Sequence, residues 1–328
     1  MGEIQLKEIK FTEIDGVKVG HAQDFKGGTG CTVVICEDGA TAGVDVRGGS
    51  PGTRETDLLK SENLVSQIHA VMLSGGSAFG LDAASGAMKY LEERNIGFDV
   101  QVTKVPIVCS AVLFDLVAGD YKVRPDKEMG YRACVNANNN DCPNGNIGAG
   151  TGATVGKFLG PKRAMKGGLG SFAVQIGDLQ VGAIVAVNCL GDVIDPDTGE
   201  ILAGLLSEDG KSLAGTENIM AMKYSEKKNL FSGNTTIGVI ATNGIFTKPE
   251  ANKLASMAHN GYGRSMRPAH SIFDGDTIFT MATGKVEADI NVVGFLAAKV
   301  MAKAVANAVK SAECAYGFMS YKELKELK

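Results

Sequence analysis

The residues best placed to act on a bond form one short stretch, Asn234-Thr235-Thr236, at the mouth of the apolar run IGVIAT (237–242). A threonine hydroxyl is a weak nucleophile until a base takes its proton. The amine of a chain N-terminus can serve, because its pKa is about 7.7–8.0 against about 10.4 for lysine. To expose that amine, the Thr235 hydroxyl must first attack the Asn234 carbonyl in an N-to-O acyl shift, and water must then split the ester. An accessible bond at a sheet edge suits this step, and Asn234 after Gly233 tolerates the turn it needs. Two plainer readings compete for the same residues: the start of a buried strand, and a glycosylation acceptor of the N-x-[ST] type.

Other stretches offer rival chemistry. AVMLSGGSAFGLDAA (70–84) reads as strand, tight turn and helix, nearly a nucleophile elbow around Ser77, with His270 downstream as the candidate base. The elbow pattern asks for glycine at position 79, where Phe79 stands, and the plain alternative is that Gly75, Gly76 and Ser77 cap a helix. GAGTGATVGK (148–157) fails as a P-loop, because Thr151 replaces the first glycine and Phe158 follows Lys157 where Ser or Thr should hold magnesium. It fits G-x-G-x-x-A, but a loop precedes it and not the strand that a dinucleotide fingerprint requires. What remains is a close-packing glycine turn or an anion cradle. Four histidines (21, 69, 259, 270) show no metal-ligand spacing, and His69 and His259 read as structural groups in helical, apolar settings.

The bulk composition narrows the partners. The 328 residues carry a net charge of −4 and no Lys/Arg stripe, which argues against nucleic acid. Glycine is abundant, with 43 residues lying inside apolar segments, and this points to tight turns and backbone N–H groups aimed inward. Seven cysteines without a CxxC pair fit buried thiols in a reducing compartment. The start lacks a leader pattern and no long uninterrupted apolar run occurs, so a cytoplasmic protein without membrane contact is expected. An acceptor at Asn234 would then never meet the glycosylation machinery.

These groups need elements to hold them. Alternation and apolar runs predict strands at 31–37, 40–46, 70–74, 105–109, 170–177, 180–188, 236–242 and 275–282, with a hairpin at Gly177-Asp178. Helical periodicity predicts helices at about 79–94, 248–260 (N-cap Thr247) and 288–313. Residues 126–147 and 204–233 read as loops. Hairpins mixed with helical crossovers predict a layered α/β or α+β domain.

The runs GTGCTVV, DVRGGSPGTRETD, LSGGSAFGLDAASG, GNIGAGTGATVGK, AVN, NTTIGVIAT, MAHNGYGRSMRPAH and DGDTIF follow one another along most of the chain. In this order they resemble the DmpA (L-aminopeptidase/D-esterase) family of N-terminal-nucleophile hydrolases, nearest to its 6-aminohexanoate-oligomer (nylon oligomer) hydrolase branch. The resemblance implies a four-layer αββα sandwich over a single domain, 1–328, self-cleaved into an α chain (1–234) and a β chain (235–328). It implies Thr235 as nucleophile, Asn188 on the oxyanion side, Asp274 and Asp276 aligning amine and hydroxyl, and Lys157 as the lysine of the nylon-oligomer branch. A cofactor-free hydrolase of short peptides, aminoacyl amides or ω-amino-acid oligomers is expected, assembled as a homotetramer. Some members carry a tyrosine soon after the Val105-Pro106 position, whereas this chain has Phe114 nearby. A non-catalytic, uncut α/β protein and a Ser77–His270 hydrolase are the alternatives.

Overall fold

The computed structural model describes residues 6–225 and 233–327. Ten strands share one continuous hydrogen-bonded sheet. They are β1 (Lys7–Ile9), β2 (Lys18–Asp24), β3 (Thr29–Val46), β4 (Thr53–Arg54), β5 (Gln67–Ser74) and β6 (Val108–Val112), then β7 (Gly168–Ile176), β8 (Leu179–Val187), β9 (Ile237–Gly244) and β10 (Thr277–Val286). The four longest helices are α1 (Ala83–Glu92), α2 (Lys127–Asn136), α3 (Lys248–Ser265) and α4 (Ile290–Ser311). The order across the sheet is β1-β7-β8-β9-β10-β3-β5-β6-β4, with β2 also on β3.

The 18-residue β3 turns this one sheet into two layers. Its first half pairs with β2 and β5, its second half with β10, and the register shifts between Ile35 and Ala40. The segments 31–37 and 40–46, expected as two strands, are therefore one. The Glu37-Asp38-Gly39 signal makes a bulge, with Gly39 at φ +83, and not a chain reversal. Side chains then alternate between layers. On β8, Val181, Ala183 and Val185 face α3 and α4 along with Leu254, Ala258 and Val300. Ile184 and Ala186 face the other sheet, packing with Val34, Val71, Val239 and Phe279. Beyond that sheet, Val33, Ile35 and Met72 meet Ala84, Ala87 and Leu91 of α1 and Ala133 of α2. The result is the expected αββα sandwich.

Several expectations need adjustment. The strand expected at 105–109 is displaced to β6, because Pro106 has no N–H for a ladder. The polar stretch 126–147 contains α2, started by Asp126 accepting the Met129 N–H at 2.8 Å. Its narrow apolar face (Met129, Ala133, Cys134) is too short to show as a period. The stretch 204–233, as far as 225, includes the short helix Thr216–Met222. His69 lies on β5 and not in a helix. Helix α4 is long and apolar enough to cross a membrane, yet most of it is buried against β7 and β8.

Close helix-to-sheet approach depends on glycine. A Cβ on Gly170 of β7 would lie 2.0 Å from the Ala304 carbonyl oxygen of α4. Gly170→Ala is expected to force this pair apart and lower stability by about 1–3 kcal/mol, read as a reduced urea midpoint. An unchanged midpoint would show that the layer can shift at no cost.

Candidate active site

Strand register brings the chemical groups together. β9 and β10 run parallel with Ile237 opposite Thr277, joined through the α3 crossover. The same offset continues upstream, where Asn234 forms a bridge with Asp274. Thr235 therefore lies beside Gly275, and Thr236 beside Asp276, whose Oδ1 accepts the Thr236 N–H at 2.9 Å. On the other flank β8 runs antiparallel with Ala186 opposite Ile237, which brings Asn188 level with Thr235. The Thr235 N–H donates to the Asn188 carbonyl at 3.0 Å.

The Asn234–Thr235 junction is buried, with Thr235 only 5% exposed. The Asn234 carbonyl oxygen accepts the Gly275 N–H at 3.0 Å, and the Thr235 hydroxyl also lies against that oxygen. Gly275 must be glycine here: a Cβ would sit 2.7 Å from Thr235 Oγ1 and 2.8 Å from the Ser50 carbonyl oxygen. Lys157 Nζ donates to the carbonyls of Gly233 (3.1 Å) and Asn188 (3.0 Å). Asn188 Nδ2 donates to Phe114 O at 3.1 Å and points at Gly233 O at 3.4 Å, while its Oδ1 accepts the Thr154 N–H at 3.0 Å. Asp274 accepts from the Leu190 and Ser271 N–H groups and from the Ser271 hydroxyl. Asp276 accepts both the His270 N–H and, at 3.0 Å, its Nδ1.

Burial sets the charges. It pulls the Lys157 ammonium down to about 7, while Cys189, Asp274 and Asp115 oppose it. It pushes Asp274 up to about 6, with the Asp276 charge adding to the rise and the Ser271 and Leu190 hydrogen bonds opposing it. Both groups can therefore change protonation near neutral pH, the range useful for proton transfer.

A pocket of about 130 Å³ opens onto Thr235, Asn234 and Gly233. Its walls are Ser50–Gly52, Ser77–Ala78, Val112–Phe114 and Phe273, so they are largely apolar. Thus Thr235, Asn188, Asp274, Asp276 and Lys157 converge, as does Phe114. Ser77 reaches the pocket wall, but His270 faces Asp276, and no described hydrogen bond joins it to Ser77. Residues 226–232, the end of the stretch 204–233 read as a loop, lie outside the described residues. One group escaped the sequence reading and another was given the wrong partner. The Gly275 N–H was hidden because backbone donors carry no side-chain signature, although a glycine flanked by two aspartates was the available signal. His270 was visible, but as the base for Ser77 and not as the partner of Asp276.

Residues 10–322 match the family described as Peptidase family S58. The chain belongs to this family. An uncharacterized aminopeptidase of Mycobacterium leprae is 39% identical over 343 residues, covering 94% of this chain and 92% of that protein. A 6-aminohexanoate-oligomer endohydrolase of Kocuria sp. is 30% identical over 317 residues, covering 91% and 85%. Among solved structures, the L-aminopeptidase D-Ala-esterase/amidase of Ochrobactrum anthropi, a variant of the Ntn hydrolase fold, has a TM-score of 0.73 at 18% identity. It covers 97% of this chain and 93% of that one. A Burkholderia sp. β-aminopeptidase gives 0.68 at 17% identity, covering 97% and 92%. This S58 member is a hydrolase of amide bonds on an N-terminal-nucleophile-type fold, which removes the non-catalytic alternative.

The buried lysine has a measurable signature. Its folded pKa of about 7 lies below the unfolded value of 10.5, so between these values the unfolded chain binds more protons. Stability therefore rises with pH through this window, by no more than about 1.4 kcal/mol per pH unit from this group. Lys166, also at about 7, acts in the same direction, while the buried thiols oppose it above about pH 9. Lys157→Met is expected to flatten the rise in urea midpoint between pH 7 and 8.5. An identical slope in the variant would mean that Lys157 stays protonated in the fold.

Proposed function

We propose that this S58 hydrolase matures by cutting Asn234–Thr235 and then uses Thr235 as an N-terminal nucleophile. One observation carries the reading: the Thr235 hydroxyl lies against the Asn234 carbonyl oxygen, which already accepts the Gly275 N–H at 3.0 Å. In maturation Thr235 Oγ attacks the Asn234 carbonyl carbon. The developing oxyanion stays on the Gly275 N–H, the hydroxyl proton passes to the Thr235 nitrogen, and the C–N bond breaks to release the Thr235 amine. Water then hydrolyses the resulting ester, leaving a carboxylate on Asn234.

In turnover the amine takes the proton of its own hydroxyl as Oγ attacks a substrate carbonyl, and passes it to the departing amine. An acyl ester remains on Thr235 until water releases it. One N–H of the new amine keeps the Asn188 carbonyl as its acceptor, so the lone pair is directed elsewhere. The Asn188 carboxamide supports the oxyanion side. Asp276 anchors Thr236, and with Asp274 it holds the strand on which the nucleophile sits. Lys157, held near neutrality, steadies the Gly233 and Asn188 carbonyls around the reacting bond.

The purified chain of 34.2 kDa is expected to run as two pieces, 1–234 and 235–328, of roughly 24 and 10 kDa. The smaller should begin Thr-Thr-Ile-Gly. Thr235→Ala should stay intact and inactive, and Thr235→Ser should keep part of the activity. Gly275→Ala should slow cleavage about tenfold or more, by crowding the hydroxyl and displacing its N–H partner. Intact mass spectrometry and N-terminal sequencing decide the matter: an active wild-type enzyme consisting only of uncut chain rules the proposal out.

The narrow, largely apolar pocket favours slim, unhindered amides: short peptides, aminoacyl amides and linear ω-amino-acid oligomers. Methylenes lying along Val112, Leu113 and Phe273 contribute about 0.8 kcal/mol each. Among the described residues no cluster of three or more His, Cys, Asp or Glu is placed to hold a metal. The cut enzyme is expected to hydrolyse an aminoacyl p-nitroanilide and a 6-aminohexanoate oligomer with or without EDTA, and to leave a denatured protein largely intact. Strong endoproteolysis, or loss of activity in EDTA, would mean a different substrate class or mechanism.

A further inference from the structure

Two buried ionisable groups lie just behind this site and take no part in the chemistry above: Asp115, 1% exposed, and Lys166, fully buried. Asp115 directly follows Phe114. Its Oδ1 accepts the Gly76 N–H and its Oδ2 the Thr29 hydroxyl, both at 2.7 Å. Three glycine-rich stretches, 28–30, 75–76 and 148–152, pack around this carboxylate. A Cβ on Gly75 would lie 1.9 Å from Asp115 Oδ2. One on Gly152 would lie 1.9 Å from the Gly28 carbonyl oxygen and 2.8 Å from the Asp115 Cβ.

Two paths lead from this cluster to Asn188. Through Phe114, the backbone carbonyl accepts Asn188 Nδ2 at 3.1 Å. Through the 148–152 turn, Thr154 N–H donates to Asn188 Oδ1 at 3.0 Å. Lys166 pins the same turn, donating to the carbonyls of Gly150 and Ala153, and to that of its neighbour Gly167, at 2.9–3.1 Å. Apart from the partly exposed Phe114, the groups in this set are buried, so a lost partner is poorly replaced by bulk water and the carboxamide has little freedom to turn.

We infer that Asp115 is a positioning residue for amide hydrolysis, fixing the Asn188 carboxamide through Phe114 on one side and the 148–154 turn on the other. The inference rests on the role given to Asn188 above. The Asp115 charge also acts through space, raising Lys166 and Lys157 against the burial that holds each at about 7. Tyr316 feels the same charge, and Lys157 faces Cys189 and Asp274 as well. Removing the charge therefore moves the Lys157 titration to lower pH, whichever protonation state the reaction uses.

The test compares wild type, Asp115→Asn and Thr29→Val, with rates expressed per Thr235 terminus counted by N-terminal sequencing. Asp115→Asn is expected to lower self-cleavage and kcat about tenfold, leave KM within about twofold, and move the limb of the pH–rate profile that follows Lys157 to lower pH. Thr29→Val, which removes one hydrogen bond but no charge, should lower kcat about threefold with the limb in place. Rates within twofold of wild type in both variants overturn the inference. So does a loss that merely follows the folded fraction while the limb stays put. If Asp115→Asn fails to fold, the threefold effect of Thr29→Val decides alone. An active wild type that remains uncut sinks the Thr235 proposal instead, and the same kcat comparison on the intact chain then decides Asp115.

Discussion

The site depends on the hydrogen-bond register of three adjacent strands. β9 is held on one side by β8 with Ala186 opposite Ile237, and on the other by β10 with Ile237 opposite Thr277. Those two alignments alone put Asn188 and the Asp274–Asp276 turn on either side of Thr235. Packing, more than the ladder itself, enforces them. Ile237, Val239 and Ala241 face the core between the sheets, while Ile240 faces the helices. A slip of one residue would exchange these faces. Each large apolar side chain contributes about 1.5–3 kcal/mol on burial, against about 0.5–1.5 kcal/mol net for a hydrogen bond. The precision of a polar site is thus inherited from apolar neighbours that never touch a substrate.

Against this rigid frame the ionisable groups are held in energetically unfavourable places. Lys157 and Lys166 sit buried among carbonyls, and Asp115 and Asp274 are both displaced upward by burial. Buried charges of this kind seldom add stability. Their effect here is to bring ordinary lysines and aspartates into the pH range where a proton can move. The oxygen-accepting and oxygen-holding duties fall largely to backbone N–H groups: Gly275 on the Asn234 carbonyl, Leu190 and Ser271 on Asp274, Thr236 on Asp276. Such donors need no reorganisation and have fixed direction, provided that no side chain intervenes. The glycine at position 275 meets that condition.

Much of this was legible in the sequence, and the reasons are local. The strands carrying Asn188 and Thr235 are continuous apolar runs, and the Gly177-Asp178 hairpin declares itself by its turn chemistry. The run of motifs from GTGCTVV to DGDTIF pointed to the family and so to the candidate residues, which spacing alone left open among three readings. Part of what escaped detection involved contacts between residues far apart in sequence. The sequence shows Gly75, Gly152 and Thr29 but not that they surround Asp115, because close approach leaves only an excess of glycine as its trace. Helix α2 was missed because its buried face is one narrow stripe in a polar, asparagine-rich segment. His270 was assigned to Ser77 by chain order alone, whereas the loop leading into β10 folds its backbone N–H and its ring onto Asp276, six residues further on.

Phe114 shows how chemistry and specificity are separated here. The resemblance places a tyrosine near this position in some family members, and a hydroxyl there could reach the reacting carbonyl. In this chain the ring carries no hydroxyl and packs beside Gly233, where even a Cβ would approach it to 2.3 Å. The polar contact made at this position runs instead through the Phe114 carbonyl to Asn188, and a main-chain contact survives any change of side chain. Phe114 therefore supports Asn188 through its main chain while its ring makes the pocket wall apolar. The Asn234–Thr235 bond is thus held by main-chain and buried polar groups, while the rings of Phe114 and Phe273 shape the wall of the pocket that opens onto it.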